Sequence, residues 1–330
     1  MGHRKHSQPR RGSIAYLPRG RAKSMEARIR TWSKQEVKEP ILLGHAGFKA
    51  GCIQIVSIDE KEKTPNFGKQ LVSLGTVIVT PPLSVIGIRG YTNSREGLKV
   101  VFDVYTKDLP KETTRLFKTK SKDGDLARAE NTLGRINEIY ALVLLRPRDA
   151  KLEQKKPFVF EVAVSGGDIK KQFDYLKKLL GKQVRIDQVF ENGATVDVAA
   201  ITKGKGWEGP ITRWGVKRKQ HKSRKSVREV ASLGPISPAS VMFTVPRAGQ
   251  RGFHQRTEYN KRIMIMDNVD KSQYKINPAS GFKHFGMVNG DFVVLAGSVP
   301  GTYRRLIKLR TPVRKFTSKI TQPKILQVVV

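Results

Sequence analysis

Between residues 41 and 91 the apolar positions fall in short runs rather than at helical spacing: ILLGHAGFKAGCIQIVSID, then LVSLGTVIV, then SVIGIRGY beyond the Pro81-Pro82 pair. Each run is rich in Val and Ile and is closed by Gly or Pro, the composition of strands bounded by turns. A second block begins near Arg95. There residues 98–105, 140–145 and 158–164 read as strands, whereas residues 125–138 carry Leu126, Ala129, Leu133 and Ile136 on one helical stripe. A second helix is expected from Asp168, its N-cap, through Leu180, with Gly181 as the stop. Strand-type sequence returns at 184–190 and 194–201, joined by Glu191-Asn192-Gly193 as a hairpin turn, and again at 262–266, 291–296 and 304–309. The pattern predicts a mainly β chain: a body of residues 38–92 and 185–310, interrupted by an α+β insertion of residues 93–184.

Three segments lie outside that pattern. Residues 1–37 mix Pro9, Gly12, Pro18 and Gly20 with arginines and form an arm with no core of its own. Residues 203–262 show no usable period and are punctuated by Gly and Pro, far beyond the roughly 12 to 15 residues of an ordinary loop, which marks a functional segment. The tail, residues 311–330, is basic to Lys324 and closes on ILQVVV, an end suited to packing on a neighbour.

Charge sharpens this division. The chain has 330 residues, 63 Lys/Arg, 28 Asp/Glu and a net charge of +35. Residues 1–30, 203–228 and 304–324 contribute +8, +9 and +8 of it, whereas residues 95–200 contribute only +5. Like charges at that density repel one another and call for a polyanionic partner. Nucleic acid fits best; a membrane surface fits less well, since the basic stretches lack amphipathic periodicity and no apolar run reaches the roughly 18 residues of a span. The basic N-terminus is not followed by the apolar segment of a secretory signal, so a cytosolic protein is expected.

Catalytic and cofactor chemistry finds no constellation. Gly204-Lys205-Gly206-Trp207-Glu208-Gly209 matches GxGxxG by the letter, but Pro210 follows where a helix should open and no acidic residue is placed for a ribose. No cofactor is expected. The six histidines are scattered without ligand spacing, so no metal site is expected either. Carboxylates in the central segment are limited to Glu208, Glu229 and Glu258, too few for an acid and base pair. Cys52, flanked by Ala50, Gly51 and Ile53, reads as a small buried hydrophobe.

The positive signal is the alternation of cations with aromatics and glycine. Trp207, Trp214, Phe253 and Tyr259 stand among Lys205, Arg213, Lys217, Arg251 and Arg256, offering stacking faces beside phosphate-neutralising groups. For the two tryptophans a core role weighs about equally. His221 and His254, each among basic residues, read as hydrogen-bonding groups for phosphate or base. With no helix-turn-helix or zinc-finger pattern, folded RNA fits better than the major groove of DNA. An RNA-modifying enzyme and a DNA compactor are the alternatives.

The motifs GHRKHSQPRRGS, LPRGRA, GHAGFKAG, TPP, TKGKGWEGPITRWGVKRK and VPRAGQRGFHQRTEYNKR resemble, along nearly the whole chain, the archaeal and eukaryotic form of large-subunit ribosomal protein three. The resemblance implies a six-stranded translation-protein β-barrel with an α+β insertion and long basic extensions. It implies a structural, non-enzymatic protein that binds large-subunit ribosomal RNA near its 3′ end, joins the subunit early, and extends its central loop toward the peptidyl transferase centre. Neighbouring large-subunit proteins are the other implied partners; no membrane and no small-molecule substrate are implied.

The expected RNA-binding residues of the arm are Arg4, Lys5, Arg10, Arg11, Arg19, Arg21 and Lys23. In the central loop they are Lys203, Lys205, Trp207, Arg213, Trp214, Lys217, Arg218, Lys219, His221, Lys222, Arg224, Lys225 and Arg228. The intact RAGQRGFHQRT motif adds Arg247, Gln250, Arg251, Phe253, His254 and Arg256, followed by Lys261, Arg262, Arg304 and Arg305. At the loop tip, Pro235-Ile236-Ser237-Pro238, the family commonly has tryptophan where this chain has Ile236. Aromatic stacking is absent at that point, leaving shape filling by an aliphatic side chain.

Overall fold

The structure, a computed structural model, describes residues 11–34, 37–60, 62–117, 125–314 and 322–330. In chain order the strands are β1 (Ile41–Leu42), β2 (Gly44–Ile58), β3 (Gln70–Val79), β4 (Leu83–Ser94), β5 (Gly97–Tyr105), β6 (Glu138–Leu145), β7 (Phe158–Ser165), β8 (Gln183–Val184), β9 (Thr195–Ile201), β10 (Trp207–Glu208), β11 (Gly249–Gln250), β12 (Gln255–Asn268), β13 (Asp291–Ala296), β14 (Leu306–Arg310) and β15 (Ile325–Val329). The helices are α1 (Asp125–Thr132), α2 (Ile169–Leu179) and α3 (Pro210–Trp214). The chain is mainly β. It divides into two compact units: Met1–Met25 with Ile201–Gln255, and Glu26–Ala200 with Arg256–Val330.

The larger unit contains most of a closed hydrogen-bonded ring of six strands in the order β14-β9-β12-β13-β3-β2, with β14 returning to β2. A ring leaves no open ladder at the point of closure. β2 serves it with two different patterns. Its first half, GHAGFKAG, is almost wholly buried, and its small residues make room for packing on both faces. A Cβ at Gly51 would overlap the ring of Phe282, so that glycine is a space requirement. The second half alternates buried and outward residues. Cys52 is one of the outward ones, exposed rather than buried as its apolar flanks predict, because it shares a face with Gln54 in the period of two.

A second sheet runs β1-β7-β6-β4-β5, with β8 pairing β4. It takes in β4 from Leu83, so the SVIGIRGY run sits beside the strands of the α+β block and not in the ring. The Pro81-Pro82 pair, which supplies no ladder N–H, separates β3 from β4. Phe173 and Leu176 of α2 are buried, and Phe173 meets Phe102 edge-on at 6.1 Å. One continuous cluster of buried side chains, including Phe48, Val79, Ile88, Val143, Phe173 and Phe292, joins ring and second sheet into a common core. On this sheet Arg89 of β4 bonds Asp103 of β5 and Glu161 of β7, each at 2.6 Å.

Several elements depart from the sequence pattern for local reasons. α1 ends at Thr132, whose hydroxyl donates back to the Ala129 carbonyl at 2.9 Å, and a 3-10 turn over Leu133–Arg135 replaces the rest of the expected helix to 138. Asp168 occupies the N-cap position of α2 with extended backbone, but its side chain makes no capping bond. The expected strand 184–190 and its hairpin do not form. After β8 the chain makes a 3-10 turn over Ile186–Gln188 that buries Ile186, with Phe190 buried just beyond it, while Gly193 and Ala194 bond to Ile263 of β12. β12 begins at Gln255, seven residues before the expected strand at 262, since neither of its faces is apolar before Ile263. The terminal ILQVVV pairs with β2 of its own chain as β15.

The third basic stretch also changes character. Its Lys308 and Arg310 lie within β14 and are buried. The Lys308 ammonium meets Glu26 at 2.6 Å and lies 4.4 Å from the centre of the Phe160 ring. Burial lowers its pKa, and Glu26 opposes that shift. The Arg310 guanidinium bonds Asp197 at 3.1 and 3.2 Å and also donates to the Thr31 carbonyl. Asp197 further accepts the Asn260 N–H at 3.0 Å and the Val313 N–H at 3.1 Å, so its oxygens are fully engaged. Removing one partner of such a pair leaves a buried charge uncompensated, at a cost of about 3–5 kcal/mol.

Two stability measurements follow. Asp197→Ala should lower the free energy of urea unfolding by about 3–5 kcal/mol, more than any exposed Asp→Ala control. His45 is buried in β2, and burial lowers its pKa from 6.5 to about 4. Between those values the unfolded chain takes up a proton that the folded chain refuses. Its contribution is complete above about pH 6.5 and is lost as pH falls toward 4, with a slope of up to about 1.4 kcal/mol per pH unit. Urea titrations at pH 7 and pH 5 should show this loss, and His45→Leu should remove its share of the slope.

Candidate nucleic-acid interface

The smaller unit is built on two chain crossings rather than on an apolar core. Residues 202–206 run against residues 250–254 through the bonds Thr202 N–H to His254 O, Lys205 N–H to Arg251 O, Arg251 N–H to Gly206 O and Phe253 N–H to Lys203 O, all 2.9–3.2 Å. β10 and β11 continue this pairing, with Trp207 opposite Gln250. Gly252 has φ +72°, and a Cβ there would strike the Lys203 carbonyl, so this crossing needs glycine on both conformational and steric grounds. The N-terminal segment is tied to the same place: Ala22 N–H donates to Phe253 O, and His254 Nδ1 lies 2.8 Å from Gly20 O.

α3 opens with Pro210 at its first turn and closes on Gly215 in the left-handed conformation. It brings Trp214 into the second crossing. Its indole Nε1 donates to Arg247 O at 2.9 Å, and the Arg19 guanidinium lies 3.8 Å above the ring. Arg213 donates to Gln250 O at 3.0 Å and to Arg247 O at 3.1 Å. Burial and the nearby Arg19 charge both lower the Arg213 pKa. A partly desolvated cation over an indole contributes about 0.5–2 kcal/mol, which here fixes the arm to the loop.

These contacts separate the expected RNA-binding residues into groups. Arg11, Arg21, Lys23, Lys203, Lys205, Lys217, Arg218, His221, Lys222, Arg224, Lys225, Arg228 and Arg247 are exposed. Trp207 is 77% exposed, so its ring is open to a partner, whereas Trp214 and His254 are buried and hold chain segments together. Arg251 is paired with Glu208 at 2.7 Å, and Lys219 with Glu229 at 3.9 Å. Phe253 lies 5.5 Å from the Arg21 guanidinium. In the larger unit, Arg256 is half-buried, Lys261 pairs with Glu258 and Arg262 with Glu60, each pair at 2.7 Å, while Arg304 is exposed and Arg305 half-buried. Arg4, Lys5 and Arg10 lie outside the described residues.

At the loop tip Gly234 is at φ +134° and Ile236 is 98% exposed, flanked by Pro235, Ser237 and Pro238. Exposed Val241, Met242 and Phe243, together with Leu17, Trp214 and Arg247, line an open hollow of about 400 Å³. Sequence reasoning passed over this patch, although a Val-Met-Phe run inside a polar segment was its visible sign. Among the described residues no group of three His, Cys, Asp or Glu is placed to hold a metal ion, and no helix is long and apolar enough to cross a membrane.

The profile of Ribosomal protein L3 matches residues 1–329. The chain belongs to the ribosomal protein L3 family. Among relatives called large ribosomal subunit protein uL3, that of Methanococcoides burtonii is 41% identical over 99% of this chain and 97% of its own. That of Caldivirga maquilingensis is 41% identical over 95% and 92%, and that of Methanothermobacter thermautotrophicus 36% over 97% and 96%. Membership in the L3 family sets aside the RNA-modifying enzyme.

For this L3-family chain the Gly252 crossing makes a paired forecast. Gly252→Ala should open the contact of 202–206 with 250–254, so that limited trypsin digestion gives new early cuts at Lys203 and Lys205. Gly209→Ala, where nothing lies within 4 Å of the added methyl, should digest like the parent chain.

Proposed function

We propose that this chain is a structural constituent of the large ribosomal subunit in the cytoplasm, binds large-subunit ribosomal RNA near its 3′ end, joins the particle early, and sends its central loop toward the peptidyl transferase centre. Family membership supports the first part, and the resemblance of the motifs supports the rest. The observation that carries the RNA contact is electrostatic. In residues 217–228 the cations Lys217, Arg218, Lys222, Arg224, Lys225 and Arg228 are exposed, and only Lys219 meets a carboxylate among the described residues. Folding leaves this charge to an external anion.

In this reading the six-stranded ring is the translation-protein barrel of the family and docks on the RNA surface, the α+β block is an insertion, and the N-terminal arm of residues 1–37 and the central loop are RNA-facing extensions. The exposed guanidinium groups supply planar forks for phosphate, the lysines act as point charges, and Trp207 offers a face for stacking. Trp214, His254 and Arg213 act earlier, by setting the path of arm and loop. Ile236 fills shape at the tip. No step requires a catalytic group.

Each phosphate neutralised releases counterions, so affinity falls with salt by about 0.7–0.9 logarithmic units per logarithmic unit of salt per contact. A chain lacking residues 217–245, which keeps both crossings, should bind large-subunit RNA more weakly than the full chain and with a salt slope several units shallower. An unchanged slope would overturn the role of the loop. Equal affinity of the full chain for duplex DNA and for this RNA would favour a DNA compactor instead.

A further inference from the structure

The open hollow of the smaller unit joins apolar walls to cations that no carboxylate neutralises. Val245 N–H donates to Met242 O at 3.1 Å, and this turn presents Met242 and Phe243 outward, Phe243 at 73% exposure. Leu17 of the arm, Val241 and Trp214 line the same space, and every lining residue except Arg213 and Arg247 is apolar. The Trp214 Nε1 is already bonded to Arg247 O, so the indole brings no free polar atom to the hollow. Its volume of about 400 Å³ lies in the range of sites that enclose a single small group.

Three guanidinium groups gather around it. Arg19 lies 3.8 Å and Arg213 5.3 Å from the centre of the Trp214 ring, and Arg213 donates to the Arg247 carbonyl at 3.1 Å. Residues 1–25 and 201–255 contain only two carboxylates, Glu208 and Glu229, and these meet Arg251 and Lys219. Arg19, Arg213 and Arg247 meet none among the described residues. Burial and the Arg19 charge both oppose the charged form of Arg213, a penalty that an arriving anion would relieve. An apolar protein side chain would fill the walls and leave these cations unneutralised. An unpaired nucleotide answers both features, because it carries a flat base with a phosphate on either side.

We propose that this hollow receives one unpaired base of the RNA, stacked against Met242 and Phe243, with the flanking phosphates held by Arg213 and Arg247. The inference rests on the RNA reading above and adds a contact of a different kind to it. The exposed cations of residues 217–228 meet phosphate in any conformation of the strand, whereas the hollow takes only a base that has left its stack, so a looped-out nucleotide fits and a paired one does not.

The full chain bound to naked large-subunit RNA is irradiated with short-wavelength ultraviolet light, treated with ribonuclease and trypsin, and its peptides are sequenced by mass spectrometry. Residues 229–246 contain no Lys or Arg, so the loop tip and the Val-Met-Phe wall emerge in one peptide ending at Arg247. The expected product is a single nucleotide attached at Met242 or Phe243. A Met242→Ala, Phe243→Ala chain, changed only at exposed positions, should keep the parent's trypsin pattern at Lys203 and Lys205. It should bind the RNA about 5- to 150-fold more weakly, the equivalent of one lost base stack, at an unchanged salt slope. An unchanged affinity, as for a hollow filled by a protein side chain, a loss accompanied by a shallower slope, or no nucleotide on these two residues would overturn the inference and leave the RNA reading standing. Absence of salt-dependent RNA binding by the parent chain would overturn both.

Discussion

β14 contributes five residues, all buried, and is hydrogen-bonded along both edges, to β2 on one side and to β9 on the other. The ring closes through it, and the closure brings two cations into the interior. Lys308 and Arg310 are held there by Glu26 and Asp197, while Thr31 completes the Arg310 site, so the same contacts that seal the ring fix the chain entering it from residues 26–31. Hydrogen bonds and charges are mutually dependent here. Without the carboxylates the buried cations would oppose folding, and without the β-pairing nothing would bring residues 197 and 310 together.

The strands of the ring were largely legible because Val and Ile runs between Gly and Pro have few alternatives. The misread elements share a physical cause: their pattern is set by neighbours distant in sequence. Residues 186–190 bury Ile186 and Phe190 from a 3-10 turn, and an apolar spacing of that kind in five residues is as strand-like as it is helical. The start of β12 is polar on both faces, so hydrophobic periodicity had nothing to register. Cys52 shows the reverse error, since apolar flanks in a strand belong to the other face.

In the basic stretches, sequence composition shows where the cations are concentrated but not their division of labour. Lys308 and Lys217 are the same residue type in equally basic stretches, yet one is buried against Glu26 and the other exposed. Trp207 and Trp214 divide likewise, the first open and the second covered by Arg19. Charge density alone does not distinguish a cation that builds the protein from one that awaits a partner. The decisive variable is whether an acceptor from a remote segment arrives, as Arg247 O and Gly20 O do for Trp214 and His254.

The place of β14 in the chain gives its closure a temporal meaning. Of the six ring strands it is the last to be translated, after β2, β3, β9, β12 and β13. Throughout synthesis the edges of β2 and β9 that receive β14 lack their partner, and Glu26 and Asp197 wait without their cations. Nascent chains therefore pass through a state with two unsatisfied β edges and a surplus of basic loops in a cell full of RNA. Protection of that interval, by rapid capture or by a chaperone that shields strand edges, becomes a requirement on the cell that the finished molecule no longer displays.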